Sequence, residues 1–315
     1  MTNILVTGGA GFIGSHLCES LISLGHKVIC VDNFNDYYNP ESKRKNISLM
    51  QDNPLFVLYE VDTRDKEKLV EIFVKENIQK VIHLAAMAGV RNSIEHPLIY
   101  FDVNISGTSN LLELSVKHNV LKFVFGSSSS VYGGSTQLPF IETQELLPLN
   151  PYATTKKMGE DLCKFFSDYN DLSVVCLRFF TVYGPRGRPD MAVYSFVKAI
   201  YEEKEISVFG EGLLSRDFTY VLDTVSGIVA SLDLDRKFEI INLGKGSKDT
   251  VNKLLEAMET CIGKKAIIKL MPKNEGEAEH TLAGINKAKE LLNFNPQIGI
   301  SEGINKFVEW YNQSK

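Results

Sequence analysis

Several things are scarce in this sequence, and each scarcity excludes a class of function. No long basic run is present and the formal net charge is -5, which argues against a nucleic-acid partner, because neutralising phosphates needs clustered Lys and Arg. The only tight basic cluster, Lys43-Arg44-Lys45, reads as a solvated loop. No apolar stretch approaches the ~20 residues that span a bilayer, and no signal-peptide layout precedes the first strand pattern. The six histidines show no metal-ligand spacing, so no metal site is expected. The five cysteines (Cys18, Cys30, Cys163, Cys176, Cys261) are odd in number, far apart and set in apolar stretches. That pattern fits reduced core thiols better than a disulfide framework and points to a cytoplasmic protein. No internal repeat or low-complexity tract is visible.

What is present is an alternation of short apolar strands and helical stretches. Residues 4–7, 28–32, 56–61, 81–85, 123–127 and 174–180 are β-branched or apolar runs. Between them, residues 12–24, 66–76, 103–117 and 154–169 carry helical spacing. Such alternation predicts an α/β fold, a Rossmann-type doubly wound parallel sheet covered by helices on both faces. A chain of 315 residues exceeds the usual size of one compact domain. The expected division is a dinucleotide-binding domain over residues 1–180, to which the chain returns around 217–244, and a smaller, mostly α substrate-binding domain over 181–315. In that second part, helices are expected at 191–204, 251–261, 285–292 and 300–311, with short strands near 206–209 and 267–270.

The first strand runs into Thr7-Gly8-Gly9-Ala10-Gly11-Phe12-Ile13-Gly14. Whether read as G-x-G-x-x-G or G-x-x-G-x-x-G, this spacing brings backbone N–H groups and a helix N-terminus up to a pyrophosphate. The second strand ends at Asp32, where a carboxylate can accept from ribose hydroxyls and repel a 2'-phosphate, which favours NAD over NADP. Asp62 follows the third strand and is either a turn residue or a second cofactor contact.

Farther along, Asn150-Pro151-Tyr152-Ala153-Thr154-Thr155-Lys156 has the form of a helix start, with Asn150 as cap and Pro151 in the first position. Tyr152 and Lys156 then share one face, one turn apart. An ammonium held there would favour the phenolate, making Tyr152 a usable base for alcohol oxidation.

With the glycine turn, Ser127-Ser128-Ser129-Ser130-Val131-Tyr132-Gly133 and Tyr152-x-x-x-Lys156, the chain resembles the extended short-chain dehydrogenase/reductase family of nucleotide-sugar epimerases and dehydratases. Further anchors recur in order: His83-Leu84-Ala85-Ala86, Asn104, Arg178 to Pro185, and Arg216-Asp217-Phe218-Thr219-Tyr220-Val221. The resemblance implies NAD as cofactor, held by Gly8, Gly11, Phe12, Ile13, Gly14, Asp32, Asn33, Asp62, Thr63, Leu84, Ala85, Ala86, Tyr152 and Lys156. It assigns Tyr152, Lys156 and Ser128 as the catalytic group and Arg216 as the contact to a substrate diphosphate. A homodimer formed through residues 103–117 and 154–169 is expected on the same analogy.

The two residues after the catalytic serine separate the activities within this family. Dehydratases carry Asp-Glu there and UDP-xylose-forming decarboxylases Ser-Glu, whereas this chain has Ser129 and Ser130. Residues 32–40, 184–192 and Ala88-Gly89-Val90-Arg91 resemble segments of the UDP-glucuronate 4-epimerase group. The substrate implied is a UDP-sugar, UDP-glucuronate or UDP-galacturonate, with its carboxylate at Ser129, Ser130, Thr181 and Arg188, and with Arg91 as a further contact. Arg186 beside it reads as loop charge. The alternatives are a 4-epimerase of neutral UDP-hexoses or UDP-N-acetylhexosamines, a decarboxylase or dehydratase, and an NAD-binding sensor without catalysis. The chain departs from the pattern at Asn274, Glu277 and Gly284, which puts nucleotide contacts from residues 273–284 in doubt.

Overall fold

The structure, a computed structural model, describes residues 1–272 and 278–314. Seven strands make the central sheet: β1 (Asn3–Thr7), β2 (Lys27–Asp32), β3 (Phe56–Glu60), β4 (Lys80–His83), β5 (Lys122–Ser128), β6 (Val174–Phe179) and, much later in the chain, β11 (Phe238–Leu243). The order across the sheet is β11-β6-β5-β4-β1-β2-β3 and every pairing is parallel. The doubly wound parallel sheet expected from the strand rhythm is the architecture found. Parallel neighbours need crossovers. These are α1 (Phe12–Ser23), α2 (Pro40–Ile47), α3 (Lys66–Glu76), α4 (Val90–Glu95), α5 (Pro97–Phe101), α6 (Gly107–Lys117) and α7 (Pro151–Tyr169).

Both faces of the sheet are buried, so its strands read as near-continuous apolar runs rather than alternating ones. Ile4, Val6, Val28 and Cys30 pack on one face with Val124, Val175 and Ile241, while Leu5, Ile29, Val81, Phe123, Val174 and Cys176 pack on the other.

Beyond β6 the chain makes β7 (Thr181–Tyr183), α8 (Ala192–Tyr201), β8 (Glu205–Phe209), β9 (Ser215–Arg216), β10 (Phe218–Tyr220) and α9 (Val221–Ser231) before β11. It continues through β12 (Asp249–Thr250), α10 (Val251–Ile262), β13 (Ile267–Met271), α11 (Asn286–Leu292) and α12 (Ile300–Gln313). A third apolar cluster, around Val197, Leu254, Met258, Ile304 and Phe307, joins α8, α10 and α12.

Three differences from the sequence expectation have physical causes. The fourth strand stops at His83 rather than residue 85, because Ala85 turns its N–H toward the Thr7 hydroxyl, 3.3 Å away. The helical run before residue 117 starts at Pro97 and passes through a π turn, Asp102–Ser106. Asn104 within that turn bridges two segments: its Oδ1 accepts from Met87 N at 2.7 Å and its Nδ2 donates to Thr155 Oγ1 at 2.9 Å. Third, Lys43-Arg44-Lys45 is not a solvated loop. It lies on α2, where Lys43 is buried and Nζ donates to the Asn35 backbone and side-chain oxygens at 3.1 and 2.9 Å. Helical spacing turns Lys43 inward with Ile47, which no charge count reveals.

Arg178 on β6 is almost fully buried and is satisfied from several elements. Its Nε and Nη2 donate to the two oxygens of Glu160 on α7 at 2.9 and 2.7 Å, and its Nη1 donates to Tyr132 at 2.8 Å. Ser127 on β5 also donates to Glu160, and Tyr132 donates to Asn242 on β11 at 2.8 Å. Removing one partner of a buried pair strands the other charge. Glu160→Gln is therefore expected to lower the unfolding free energy by about 3–5 kcal/mol in a urea titration. A loss below about 1 kcal/mol, the scale of a solvated pair, would contradict this account.

Candidate active site

The sheet order reverses between β1 and β4, and ligands of open α/β sheets bind at the carboxyl edge beside such a point. The glycine turn closes that edge of β1. Gly8 has φ +69 and donates to Val31 O at 2.7 Å, and a Cβ on Gly14 would stand 2.1 Å from Gly8 O. No larger residue fits so close an approach. Helix α1 starts at this turn with Gly11 as its cap residue and no side-chain cap, which leaves its first N–H groups directed at the edge of the sheet.

A cavity of 380 Å³ opens there, and every residue assigned to the cofactor from sequence lines it, from Gly8, Gly11, Phe12, Ile13 and Gly14 through Asp32, Asn33, Asp62, Thr63, Leu84, Ala85 and Ala86 to Tyr152 and Lys156. Asp32 spans two segments, accepting from Ala10 N at 3.2 Å and Phe34 N at 2.9 Å. Burial raises its pKa, against the pull of Lys43 and those two N–H groups. Asp62 also does turn work: it accepts from Arg64 N and Nε at 2.9 Å and from Asn33 Nδ2 at 2.8 Å. The Arg64 guanidinium holds its carboxyl down at about 2. Sequence reasoning missed Asn35, Tyr37, Tyr38, Lys43 and Met87 on this wall. For Asn35, Tyr37 and Tyr38 the signal lay in the Asp32 to Pro40 segment, whereas Lys43 on α2 and Met87 after β4 lie outside it and reach the wall only through the fold.

Asn150 caps α7, accepting from Ala153 N at 2.9 Å, with Pro151 in the first turn. Tyr152 and Lys156 consequently lie on one face, and Lys156 Nζ donates to Gly126 O on β5 at 2.6 Å. Burial pushes the Lys156 ammonium down to about 8, opposed by Cys163 and Glu160. Tyr152 shifts the other way: burial raises its pKa, while a hydrogen bond with Ser128 and the charge of Arg188 lower it. The ammonium expected to favour a phenolate thus spends its shortest contact on a backbone carbonyl, and Ser128 and Arg188 are the groups that favour ionisation here. His83 is structural. It sits 2.7 Å from Thr7 Oγ1 and 3.0 Å from Thr108 Oγ1, and burial with the Lys156 charge holds its pKa at about 3, so the ring stays neutral.

A second cavity, of 970 Å³, adjoins the first, and Ser129, Ser130, Tyr152, Thr181 and Arg188 line both. Ser128 faces the first cavity, with its hydroxyl 3.0 Å from that of Ser130. Arg91 and Arg216 line the second. Arg91 stacks over the Phe209 ring at 5.0 Å, and Arg216 Nη1 donates to Glu279 O at 2.9 Å. Arg188 donates to both oxygens of Asp190, at 3.0 and 2.6 Å. Arg186 is not loose loop charge: it pairs with Glu19 on α1 at 2.6 Å. Asn274 and Glu277 lie outside the described residues. Gly284 packs against Phe140 and Ile141, where a Cβ would meet Ile141 at 2.9 Å, so the absence of an aspartate there has a steric reason.

Residues 4–244 match the family model described as the NAD dependent epimerase/dehydratase family. The chain belongs to that family. A UDP-glucuronate 4-epimerase of Thermodesulfobacterium geofontis is 44% identical over 97% of this chain and 95% of its own length. Among solved structures, UDP-glucuronic acid 4-epimerase from Bacillus cereus, in complex with UDP-glucuronic acid and NAD, superposes with TM-score 0.93 at 36% identity over 100% of both chains. A UDP-glucose 4-epimerase of Thermotoga maritima, solved with UDP-glucose, reaches TM-score 0.92 at 33% identity over 99% of each chain. The fold alone therefore does not separate acidic from neutral sugars.

The bond from Ser128 favours the Tyr152 phenolate, so its loss should make that phenolate harder to form. In Ser128→Ala the limb of kcat/KM that rises with pH is expected to move up by about one pH unit, the scale of one charge-assisted hydrogen bond, with Ser128→Thr restoring it. A limb that stays in place would contradict this role.

Proposed function

We propose that this chain is an NAD-dependent 4-epimerase that interconverts UDP-glucuronate and UDP-galacturonate through a 4-keto sugar. The observation that carries the reading is the shared wall of the two cavities, where the candidate base Tyr152 stands beside three hydroxyls and one guanidinium, from Ser129, Ser130, Thr181 and Arg188. A carboxylate leaving water needs several donors, and this wall supplies them.

The unshielded N-terminus of α1, the close glycine turn and the Asp32 carboxylate at the end of β2 fit a dinucleotide in the first cavity. When bound there, NAD supplies the hydride acceptor and donor for C4 of the sugar. In this reading Tyr152 takes the proton of the 4-hydroxyl and later returns it, while Ser128 bonds the same oxygen. Inversion requires the ketone to present its other face, so the nucleotide stays anchored in the larger cavity, by Arg216 and Arg91, while the sugar turns. A 4-ketouronate is a β-keto acid prone to losing carbon dioxide, and a carboxylate held by Arg188, Thr181 and the serines is kept from the geometry that releases it. Ser129 and Ser130 offer no carboxylate for elimination of water, which disfavours a dehydratase.

A neutral-hexose epimerase is the second reading, favoured by one observation: Asp190 already neutralises Arg188. We further propose a homodimer through residues 103–117 and 154–169, the π turn with α6 and most of α7, which pack together; α7 exposes Phe165 and Tyr169. Five unpaired thiols, four of them buried, support a cytoplasmic setting. Among the described residues no helix is long and apolar enough to cross a membrane.

The deciding experiment is incubation with UDP-glucuronate and, in parallel, with UDP-glucose, with products resolved by chromatography and mass. UDP-galacturonate of unchanged mass is expected; loss of carbon dioxide would make the enzyme a decarboxylase, and turnover of UDP-glucose alone would establish the neutral reading. Arg188→Ala should raise the KM for UDP-glucuronate by about tenfold to a hundredfold, the scale of one charge-assisted bond or two, and release UDP-pentose. Unchanged uronate kinetics without decarboxylation would count against the assignment.

A further inference from the structure

Arg188 faces the substrate wall with one carboxylate already attached. Its Nε donates to Asp190 Oδ1 and its Nη2 to Oδ2, so the fork that suits a planar carboxylate best is occupied from within the chain. Tyr37, from the segment after β2, donates to the same Asp190 Oδ2 at 3.3 Å and lays its ring 5.4 Å from the guanidinium. Most ion pairs two residues apart are solvated surface features of little consequence. This one differs, because the Arg188 side chain is 19% exposed, lines both cavities and stands on the same wall as Ser129, Ser130 and Thr181. An acidic sugar arriving there meets a cation whose preferred edge and whose charge are both engaged by Asp190. A neutral hexose meets no such competition.

We propose that Asp190 is an internal competitor for Arg188 that sets how tightly the site holds a uronate relative to a neutral sugar. This rests on the 4-epimerase reading and names the residue that tunes its specificity. The physical need follows from the reaction: the sugar must leave the wall to present its other face, so a carboxylate bound at full strength in the ground state would stall each cycle. A negative charge beside Arg188 weakens that hold without removing the guanidinium that recognises the acid. Asp190 acts through Arg188 and is a positioning residue, not a catalytic one. Its side chain is 39% exposed, so its replacement leaves the core intact.

Asp190→Asn keeps the shape and one acceptor oxygen while deleting the charge. The test is calorimetric titration of UDP-glucuronate and of UDP-glucose into NAD-saturated protein, in a Tyr152→Phe background that prevents turnover, followed by kinetics with Tyr152 restored. The expected result is a Kd for UDP-glucuronate lowered by about fivefold to tenfold, the size of one partly screened charge, with that for UDP-glucose unchanged. In the active enzyme KM and kcat for the uronate should then fall together, and Asp190→Glu should keep the wild-type selectivity. Weaker uronate binding in Asp190→Asn, or an equal shift for both sugars, would overturn the proposal, since Asp190 would then not compete with the uronate for Arg188. If the protein with Asp190 in place binds UDP-glucuronate no better than UDP-glucose and does not turn it over, the uronate reading itself fails, whatever the substitution does.

Discussion

Asn150 fixes the start of α7 by accepting from Ala153, and from that start Tyr152, Lys156 and Glu160 follow at four-residue intervals on the face that meets the sheet. Each then finds a partner on a strand or at its end: Ser128 for Tyr152, Gly126 O for Lys156, and Arg178 with Ser127 for Glu160. The helix cannot rotate without breaking all three. The buried Glu160–Arg178 pair is the costliest to break, and it ties α7 to β5 and β6 directly and to β11 through Tyr132. The rotational setting of one helix thereby places a phenol and an ammonium beside the serine cluster that ends β5, at the carboxyl edge of a parallel sheet.

Around that edge the charges are arranged in opposed pairs. Burial lowers the pKa of Lys156 to about 8, while burial of Tyr152 makes it resist ionising. Neither is a strong acid or base alone, which leaves the balance to what binds beside them. On the wall shared by the two cavities, Arg188 supplies positive charge and Asp190 takes part of it back. A site that must oxidise a sugar, let it turn and reduce it again benefits from holding the sugar weakly and the nucleotide firmly. The larger cavity, with Arg91 and Arg216 farther out, provides the volume for such an anchor.

Much of this was legible in the sequence because the signals are local. The glycine turn, Asp32, the Asn150-Pro151 start and the Tyr152-Lys156 spacing all act over a few residues, and so do the apolar runs that define both faces of the sheet. What sequence reasoning missed acts across the chain. Lys43 lies in a charged trio, and only the path of α2 shows that it points inward to Asn35 and Asp32. Asp190 follows Arg188 by two residues, yet its bidentate grip depends on a turn in which Arg186 takes a left-handed φ of +64. The π turn at Asp102–Ser106 leaves no mark on hydrophobic periodicity, although it aims Asn104 at Met87 and Thr155.

The central claim is that C4 is inverted by removing and returning the same hydride, with Tyr152 moving only the hydroxyl proton. Following UDP-glucuronate turnover by NMR in deuterated water tests it most directly. The account predicts a UDP-galacturonate product that keeps protium on C4, because the hydride never meets solvent. Deuterium incorporated at C4 would contradict it and point to inversion by proton abstraction from carbon.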